Sequence, residues 1–470
     1  MPRPDKAVKS TAGRWILAAS ILGSGAVFLE GSVVSVAMPA IGRDLGLGMA
    51  GLQWVMNGYL LTLSALMLFG GALGDRGSRP RVFALGLIGF AVSSVCCGLA
   101  PNIALLIAAR VVQGIAGALV VPNSLALLET TFHGEARGAA IGKWSAWSGA
   151  STALGPFAGG WLVDAASWRF VFFSIVPFAV AAAWIAFRHA TAAEKSTKRQ
   201  SSSSLDYAGA VFATLGLAGV VGALITGPDA GFTSPLVLTS LIAGLLLLGG
   251  FVFVESRAQT PLLPLDVFGH REFVAANLNT LFVYASLNGL FFLLMLQLQN
   301  GLHYSAVVAG ASLLPVNALL LLISPRSGHL AERIGARIPM AAGSLIAAVG
   351  MLLFTRVKPG ASYVTTLLPA LIVFGIGLGL LVAPLTTVAL RSLGEKRAGI
   401  ASGVNNAAAR LAGLLATAAI PVAAGLAGSR RPSGAALAGA FTKAMVICAA
   451  LCGVGAIVAA TMISGKKAKS

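Results

Sequence analysis

The stretch "GALGDRGSRPR", residues 71–81, is matched later in the chain by "GHLAERIGAR", residues 328–337. Each stretch directly follows a long apolar segment. Each also carries a glycine, a leucine, an acid and an arginine at the same spacing: Gly71, Leu73, Asp75 and Arg76 in the first, and Gly328, Leu330, Glu332 and Arg333 in the second. A repeat of this kind predicts a chain built from two similar halves, which is typical of transporters with a substrate site near the bilayer midplane.

The composition is that of a membrane protein. Of 470 residues, 57% are hydrophobic and only 10% are charged, whereas ordinary soluble domains are about 25% charged. A helix needs roughly 20 apolar residues to cross a bilayer. Windows of this length recur along the chain and predict an all-α integral membrane protein with fourteen transmembrane spans: 15–40, 51–73, 82–100, 103–128, 138–163, 168–187, 206–226, 235–254, 273–299, 305–330, 338–355, 364–390, 399–427 and 439–463.

The net charge of +18 would suggest nucleic-acid binding in a soluble protein. Here most of the 33 Lys and Arg residues fall in the loops of one membrane face, so we expect a lipid bilayer and no nucleic acid as partner. By the positive-inside rule both termini are cytoplasmic. On that orientation seven basic residues lie outside: Arg43, Arg169, Arg356, Lys358, Arg430, Arg431 and Lys443. The Ala-, Gly- and Arg-rich composition favours the plasma membrane of a bacterium, and we expect a monomer.

The polar stretch "HATAAEKSTKRQSSSS" divides the chain. It predicts a flexible cytoplasmic linker at 189–204. Residues 1–188 then form an N-terminal six-helix bundle, 205–270 two inserted transmembrane helices with a following cytoplasmic loop, and 271–470 a C-terminal six-helix bundle.

Several motifs, in order, resemble those of one family. "GALGDRGSRPR" is similar to the loop 2–3 signature of the major facilitator superfamily, and "ARVVQGIAGALVVP" (109–122) to the motif of its fourth helix. "STALGPFAGG" (151–160) resembles its antiporter motif, and "FLEGSVVSVAMPAI" (28–41) the acidic first-helix motif of its fourteen-helix drug:proton antiporters. "PLLPLDVFGHREFVAANL" and "SGVNNAAARLAG" are also typical of that branch. Two features depart from the family pattern: the first-helix acid is Glu30 rather than Asp, and the loop has Ser78 and Pro80 where Gly and a base are usual.

The resemblance implies the major facilitator fold and a proton-coupled antiporter that exports lipophilic, cationic small molecules by alternating access. Such a multidrug efflux protein would confer antibiotic resistance. Its partners would be a small-molecule substrate and protons. Two alternatives stay open. One is a dedicated exporter of a single antibiotic, amino acid or metabolite. The other is a transporter of lipids or other amphiphiles.

Glu30 is the most unusual residue of the first span. Of fifteen acids in the chain, it alone lies in the middle of a span. An ionised carboxylate at that depth is expensive and is usually functional. We predict that Glu30 exchanges a proton for a cation, the alternative being a neutral side chain that bonds for helix packing. A single mid-membrane acid also predicts a preference for monovalent over divalent cations.

Arg110 is the second candidate for proton coupling. It shares one helix face with Gln113 and Gly117, at i+3 and i+7. The family implies that Arg110 assists proton transfer, and the alternative is a structural arginine bonded to backbone carbonyls.

Two further motifs predict moving parts. In span 5, Ser151, Gly155 and Gly159 form a stripe of small residues that permits close helix contact, and Pro156 can bend the helix. The family links this motif, which ends in Gly155, Pro156, Gly159 and Gly160, to antiport. At the loop 2–3 signature the resemblance implies a gate formed by Gly71, Asp75, Arg76 and Arg79, the alternative being an ordinary surface ion pair.

Residues that could line a substrate cavity are spread over several spans, and for each a packing role is the alternative. They are Tyr59, Gln113, Trp147, Tyr284, Gln297, Asn405, Asn406 and Arg410. Asn406 and Arg410 are i, i+4 neighbours on one helix.

The sequence carries no pattern of an enzyme. It lacks a G-x-x-x-x-G-K-[ST] phosphate loop, its five histidines lie in or near loops, and its four cysteines lie within apolar spans without metal-type spacing. We therefore expect no catalytic activity, no cofactor and no bound metal.

Overall fold

The computed structural model describes residues 11–190, 205–258, 261–394, 397–426 and 434–465. The predicted linker at 189–204 lies, except for its first two residues, outside the described residues. The regular elements of the described residues are all helices, joined by short turns. Its first part contains α1 (Thr11–Asp44), α2 (Met49–Arg76), α3 (Arg79–Leu99), α4 (Ile103–Thr131), α5 (Glu135–Ala165), α6 (Trp168–Phe173) and α7 (Val176–Ile185), and α7 continues into a π-helical turn, Ala186–Ala190.

The second part of the chain contains nine further α-helices among the described residues. They are α8 (Tyr207–Ala230), α9 (Pro235–Arg257), α10 (Arg271–Leu296), α11 (Ala306–Ala311), α12 (Leu314–Ile334), α13 (Arg337–Phe354), α14 (Leu368–Arg391), α15 (Ala398–Ala423) and α16 (Gly434–Met462). A 3₁₀ turn, Leu265–Gly269, precedes α10, and π-helical turns Gln297–Gly301 and Tyr363–Leu367 follow α10 and precede α14. The predicted all-α membrane fold is confirmed.

Within the described chain, thirteen helical segments are long and apolar enough to cross a membrane. The predicted span without such a segment is the fifth, 138–163. It corresponds to α5, which has the length but is rich in Gly, Ser and Ala and therefore less hydrophobic than the thirteen. Three predicted spans are not single α-helices. The spans 168–187 and 305–330 are each divided into a short and a longer helix, and the span 364–390 begins with a π-helical turn. In each case a proline stands in the first turn of the helix that follows, namely Pro177 in α7, Pro315 in α12 and Pro369 in α14, where its missing N–H costs no helical hydrogen bond.

The chain forms two compact units. The first comprises Met1–Ile41, Trp54–Leu217 and Leu246–Leu262, and the second comprises Gly42–Gln53, Ala218–Leu245 and Leu263–Ser470. Helices α1, α2, α8 and α9 are thus each divided between the two units.

In the first unit, α2 and α4 approach each other closely enough to require glycine. A Cβ on Gly114 would collide with the Tyr59 carbonyl oxygen, and one on Gly70 with the Ala118 carbonyl oxygen. Such contacts bring helix backbones together without large side chains between them. They place the middle of α4 directly against α2, beginning one turn after Arg110, which positions the side chain of Arg110.

In the second unit, α13 packs on α14 through facing glycines, and α10 is bonded to α16. A Cβ on Gly343 would lie 2.8 Å from the Gly377 carbonyl oxygen. Asn279 on α10 donates to the Gly455 carbonyl of α16 at 2.7 Å, and Ser286 donates to the Cys448 carbonyl at 2.9 Å. These polar side chains bind backbone of a neighbouring helix and so satisfy their hydrogen bonds inside the membrane.

Candidate functional site

Glu30 and Arg110 form a buried ion pair in the first unit. Both side chains have no exposed surface. The Nη1 atom of Arg110 donates to Oε1 of Glu30, and also to Oε1 of Gln113 at 2.7 Å. Its Nε donates to the Val55 carbonyl at 3.0 Å. Two residues that are 80 positions apart in the sequence therefore meet in the interior of the unit, where α1, α2 and α4 come together.

Gln113 links this pair to α3. Its amide nitrogen donates to the Ser94 hydroxyl at 2.7 Å, while its carbonyl oxygen accepts from Arg110 and lies 3.8 Å from the Cys97 sulfur. The i, i+3 spacing of Arg110 and Gln113 predicted that they share a face, and in the structure they bond to each other. The amide oxygen of Gln113 thus orients the guanidinium of Arg110, and the bond from its amide nitrogen to Ser94 fixes Gln113 itself.

Aromatic rings cover the guanidinium. Its central carbon lies 4.4 Å from the centre of the Tyr59 ring and 5.9 Å from that of Phe172. The Tyr59 hydroxyl donates to the Val27 carbonyl of α1 at 3.3 Å. Ring faces attract a cation, and more strongly where water is excluded. Arg110 is therefore supported by neutral groups as well as by Glu30.

One oxygen and one nitrogen of the pair stay without a partner. Among the described residues, nothing forms a hydrogen bond with Oε2 of Glu30 or with Nη2 of Arg110, although both atoms are buried. An unsatisfied buried polar atom is costly. Oε2 is an atom to which a proton can be added without breaking the bond between Oε1 and Arg110.

The glycines of the span 5 motif pack α5 against α1 beside Glu30. A Cβ on Gly155 would collide with the Ser32 hydroxyl, and one on Gly159 would lie 2.7 Å from the Val33 side chain. Two turns earlier in α1 the glycine is on α1 and the serine on α5, since a Cβ on Gly25 would lie 3.0 Å from the Ser151 hydroxyl. Pro156 lies inside α5, and Gly160 is buried. Gly155 and Gly159 of α5 thus contact α1 at Ser32 and Val33, two and three residues after Glu30.

The loop 2–3 signature forms a short turn between α2 and α3. Arg79 donates to Oδ1 of Asp75 through Nε at 3.0 Å and through Nη2 at 2.7 Å, and the Asp75 side chain is 61% exposed. Ser78 caps α3 by accepting from the Arg81 N–H, and Pro80 stands in the first turn. Both residues by which the loop departs from the family pattern, Ser78 and Pro80, therefore suit a helix start. Gly71 faces Pro122 of α4, and Arg76 ends α2 half-buried.

The candidate cavity residues have different surroundings. Tyr59 and Gln113 belong to the network around Arg110, whereas the Trp147 side chain is 60% exposed. Gln297 is fully buried and donates to the Val357 carbonyl at 3.1 Å. Four others are half-buried in α10 and α15, namely Tyr284, Asn405, Asn406 and Arg410.

Three members of the site were not anticipated from the sequence: Ser94, Phe172 and the Val55 carbonyl. A serine and a phenylalanine inside apolar spans carry no pattern that distinguishes them from packing residues. A backbone carbonyl carries none at all.

The family is decided by a match along most of the chain. Residues 20–417 match the family model of the major facilitator superfamily. The chain belongs to this superfamily. Among its curated relatives is the puromycin resistance protein pur8 of Streptomyces alboniger, 36% identical over 408 residues that cover 86% of this chain and 79% of that protein. Another is the multidrug resistance protein Stp of Mycobacterium tuberculosis, strain H37Rv, 34% identical over 394 residues that cover 83% and 72%.

The fold is also that of solved transporters. The crystal structure of the POT family transporter PepTSo matches this member of the superfamily with a TM-score of 0.68, covering 98% of both chains at 15% sequence identity. At that identity the likeness shows the fold alone. The predicted family, the predicted fold and the relation to antibiotic and multidrug resistance proteins are thus confirmed.

Proposed function

We propose that this protein is a proton-coupled antiporter that exports lipophilic small molecules, cations among them, by alternating access. The observation that carries the proposal is the buried Glu30–Arg110 pair, in which Oε2 of the carboxylate is unpartnered among the described residues. The names of the relatives, a puromycin resistance protein and a multidrug resistance protein, support export of toxic compounds. Proton coupling rests on the chemistry of the pair.

The pair can change its charge without losing its arrangement. When Glu30 is ionised, it balances the charge of Arg110. When Glu30 takes up a proton, Arg110 keeps three neutral partners: the Val55 carbonyl, the Gln113 carbonyl oxygen and the Tyr59 ring. These neutral partners stabilise the guanidinium of Arg110 when Glu30 is protonated. Without them, the buried charge of Arg110 would be unpaired and strongly destabilising.

A substrate cation and Arg110 then compete for one carboxylate. An ionised Glu30 can bind a cation only by sharing the negative charge that balances Arg110. A proton on Oε2 removes that charge and so releases the cation, while Oε1 stays in contact with Arg110. This competition is the elementary step of antiport, because binding of one cation excludes the other.

The orientation and the moving parts belong to the same proposal. The distribution of Lys and Arg supports cytoplasmic termini in a bacterial plasma membrane. Asp75, Arg76 and Arg79 form the cytoplasmic gate loop, and the contact of Gly155 and Gly159 with α1 transmits movement of α5 to the helix that bears Glu30. The protein works as a monomer, without enzymatic activity or a cofactor.

The test is transport into proteoliposomes with an acidic interior. We expect wild-type protein to accumulate a fluorescent lipophilic cation when the gradient is imposed and to stop when it is collapsed. Glu30→Gln keeps the shape and loses the charge, so we expect no accumulation. Glu30→Asp keeps the charge on a shorter chain and should retain part of the activity.

Other outcomes have clear meanings. If Glu30→Gln still accumulates the dye, the coupling acid is elsewhere and the proposal is wrong in its central step. If wild type accumulates no dye, export of general lipophilic cations is wrong, and a narrow or lipid-like substrate takes its place.

A further inference from the structure

A proline in α4 leaves one backbone carbonyl without its helical donor where α4 crosses α2. Pro122 lies inside α4 and has no N–H, so the Ala118 carbonyl, four residues earlier, receives no helical hydrogen bond from it. The backbone of Gly70 on α2 lies so close to this carbonyl that a Cβ on Gly70 would collide with its oxygen. The two helices therefore touch at a point where α4 lacks one of its own hydrogen bonds.

Asn123, the residue after this proline, joins the two helices through its side chain. Its Nδ2 atom donates to the Gly70 carbonyl of α2 at 2.9 Å and to the Leu119 carbonyl of α4 at 2.8 Å. The side chain is buried, and its Oδ1 atom fills the position that a Cβ on Gly74 would occupy. Gly74 directly precedes the acid of the loop 2–3 signature. Asn123 therefore fixes the end of α2 that bears the gate loop to α4, the helix of the buried arginine.

The second unit repeats this crossing between α12 and α14. Pro384 lies inside α14 and leaves the Leu380 carbonyl, four residues earlier, without its helical donor. Ser327 of α12 occupies the position that Gly70 has in the first copy of the repeat, and its hydroxyl donates to the Leu380 carbonyl. In both halves, the second span thus lies against a carbonyl that a proline has released in the fourth.

The second crossing has no side chain equivalent to that of Asn123. The residue after Pro384 is Leu385, which cannot donate a hydrogen bond from its side chain, and the repeat position of Gly74 is Ala331. Beside this crossing lies a cavity of about 440 Å³, with Ala331 and Pro384 in its walls. A buried amide therefore fills the first crossing, whereas open space borders the second.

From this difference we infer that Asn123 is a positioning residue of the gate, which makes the loop-bearing end of α2 move together with α4, while the equivalent ends of α12 and α14 separate during the transport cycle. The inference rests on the proposed function, because it assigns the gate movement to particular helices. Close-packed groups transmit a displacement as a unit, and an amide with two bonds to backbone opposes separation. Sliding of packed helices past each other needs space beside them, which the second crossing has.

A reversible cross-link tests the second crossing. A Cβ on Gly328 would lie 3.7 Å from the Cβ of Ala383, and the Cβ atoms of a disulfide are about 3.8 Å apart. Gly328→Cys with Ala383→Cys is made in a protein whose four native cysteines are replaced by alanine, and dye uptake is followed in inside-acid proteoliposomes. We expect oxidation to lower the maximal uptake rate at least about tenfold, because conformational steps set many turnover rates, and a reductant to restore it. Ala383→Cys alone forms no cross-link, so its rate should change less than about twofold.

Asn123→Ala tests the first crossing. It removes both bonds of the side chain, so the gate loop no longer follows α4. We expect the maximal uptake rate to fall about tenfold while KM changes less than about twofold, since a conformational step and not recognition is affected.

Ser124→Ala is the matched control for Asn123→Ala. The Ser124 hydroxyl is also buried and bonds to the Ser24 hydroxyl at 2.6 Å, but that bond joins α4 to α1 and not to the helix that bears the gate loop. We expect a similar drop in unfolding temperature and a nearly normal uptake rate.

Transfer of the amide provides a further variant if Asn123→Ala does not fold. Leu385→Asn with Ala331→Gly builds into the second crossing the side chain and the space that the first one has. This double variant should slow uptake without lowering the unfolding temperature.

Three results would overturn the inference and leave proton-coupled export standing. They are a cross-linked cysteine pair that transports at its reduced rate, equal uptake rates for Asn123→Ala and Ser124→Ala, and a double variant at positions 385 and 331 that is as fast as wild type. A wild-type protein that accumulates no dye removes both the inference and the proposed function.

Discussion

Glu30 and Arg110 pair with each other while each keeps one buried polar atom without a hydrogen-bond partner among the described residues. A pair optimised for stability alone would satisfy those atoms, because each unmet hydrogen bond costs about 1–3 kcal/mol. The pair instead has a second, neutral set of contacts around Arg110. This combination fits a group that changes its protonation state during a cycle.

The first prediction concerns Arg110. Arg110→Lys keeps the charge but cannot donate to Val55, Glu30 and Gln113 in the same plane, because an ammonium is a point charge on a flexible chain. We expect gradient-driven uptake to fall at least about tenfold, with a moderate drop in thermal stability. Arg110→Ala leaves the Glu30 carboxylate uncompensated and should cost about 3–5 kcal/mol. A fully active Arg110→Lys protein would show that the planar arrangement is irrelevant.

Gln113 allows a separate test of the positioning network. Gln113→Leu removes the bonds to Arg110 and to Ser94 while keeping the volume, so we expect a loss of about 1–3 kcal/mol in stability and slower uptake. Ser94→Ala removes only the outer bond and should have the smaller effect. Thermal unfolding in detergent and initial uptake rates measure both. An inverted order of the two variants would contradict the arrangement described above.

The contact between α1 and α5 predicts opposite effects at two glycines of one helix. A Cβ on Gly159 would lie 2.7 Å from the Val33 side chain, whereas one on Gly149 meets nothing within 4 Å. Gly159→Ala should push the helices apart, at a cost of about 1–3 kcal/mol, and slow transport. Gly149→Ala should be neutral or stabilise α5 by up to about 1 kcal/mol. Both are read from unfolding temperatures and uptake rates, and equal behaviour of the two would refute the close contact.

In the second unit, Gln53 replaces a helical hydrogen bond that a proline removes. Its amide donates to the carbonyls of Thr417 and Ala418 at 2.8 and 2.9 Å, and Pro421, four residues after Thr417, has no N–H to donate. We expect Gln53→Leu to cost about 1–3 kcal/mol in a wild-type background. In a Pro421→Ala background the helix can supply its own donor, so the cost should be clearly smaller. A double-mutant cycle on thermal unfolding measures the difference, and strict additivity would contradict it.

The charges within the spans predict discrimination by substrate charge. Glu30 is a single acid already paired with Arg110, so a divalent cation would leave at least one charge unbalanced in a medium of low dielectric constant. We expect a mono-quaternary dye to be taken up at least about tenfold faster than a bis-quaternary dye of similar size. Competition assays in the same proteoliposomes provide the measurement. Equal uptake rates for the two dyes would mean that a second acid balances the additional positive charge.

The sequence was sufficient for the fold because a membrane restricts the choice. Backbone polar groups cannot be left open in hydrocarbon, so spans are helices whose length is set by the bilayer. For example, the predicted span 103–128 corresponds to the helix Ile103–Thr131, and the predicted span 338–355 to the helix Arg337–Phe354. Pro177, Pro315 and Pro369 indicate in the sequence where three of these helices begin. Hydropathy alone does not predict those helix starts, because it does not distinguish one turn type from another.

The identity of the candidate residues also came from the sequence. Glu30 stands out because charge in the middle of a span is rare, and Arg110 with Gln113 because their spacing puts them on one helix face. These are local properties of single helices. They depend on residue type and periodicity, which the order of amino acids contains directly.

Only the tertiary structure decided which of these residues meet. The bond from Arg110 to Glu30 spans 80 residues, and the bond from Gln53 to Thr417 spans 364. Each depends on the rotation and depth at which one helix packs on another, and that is set by many weak contacts such as the close approach of Gly114 to Tyr59. Local hydrophobic patterns therefore determined where the helices are and which side chains are exceptional. Packing between distant helices determined that Glu30 is paired and that Ser94 and the Val55 carbonyl support the pair.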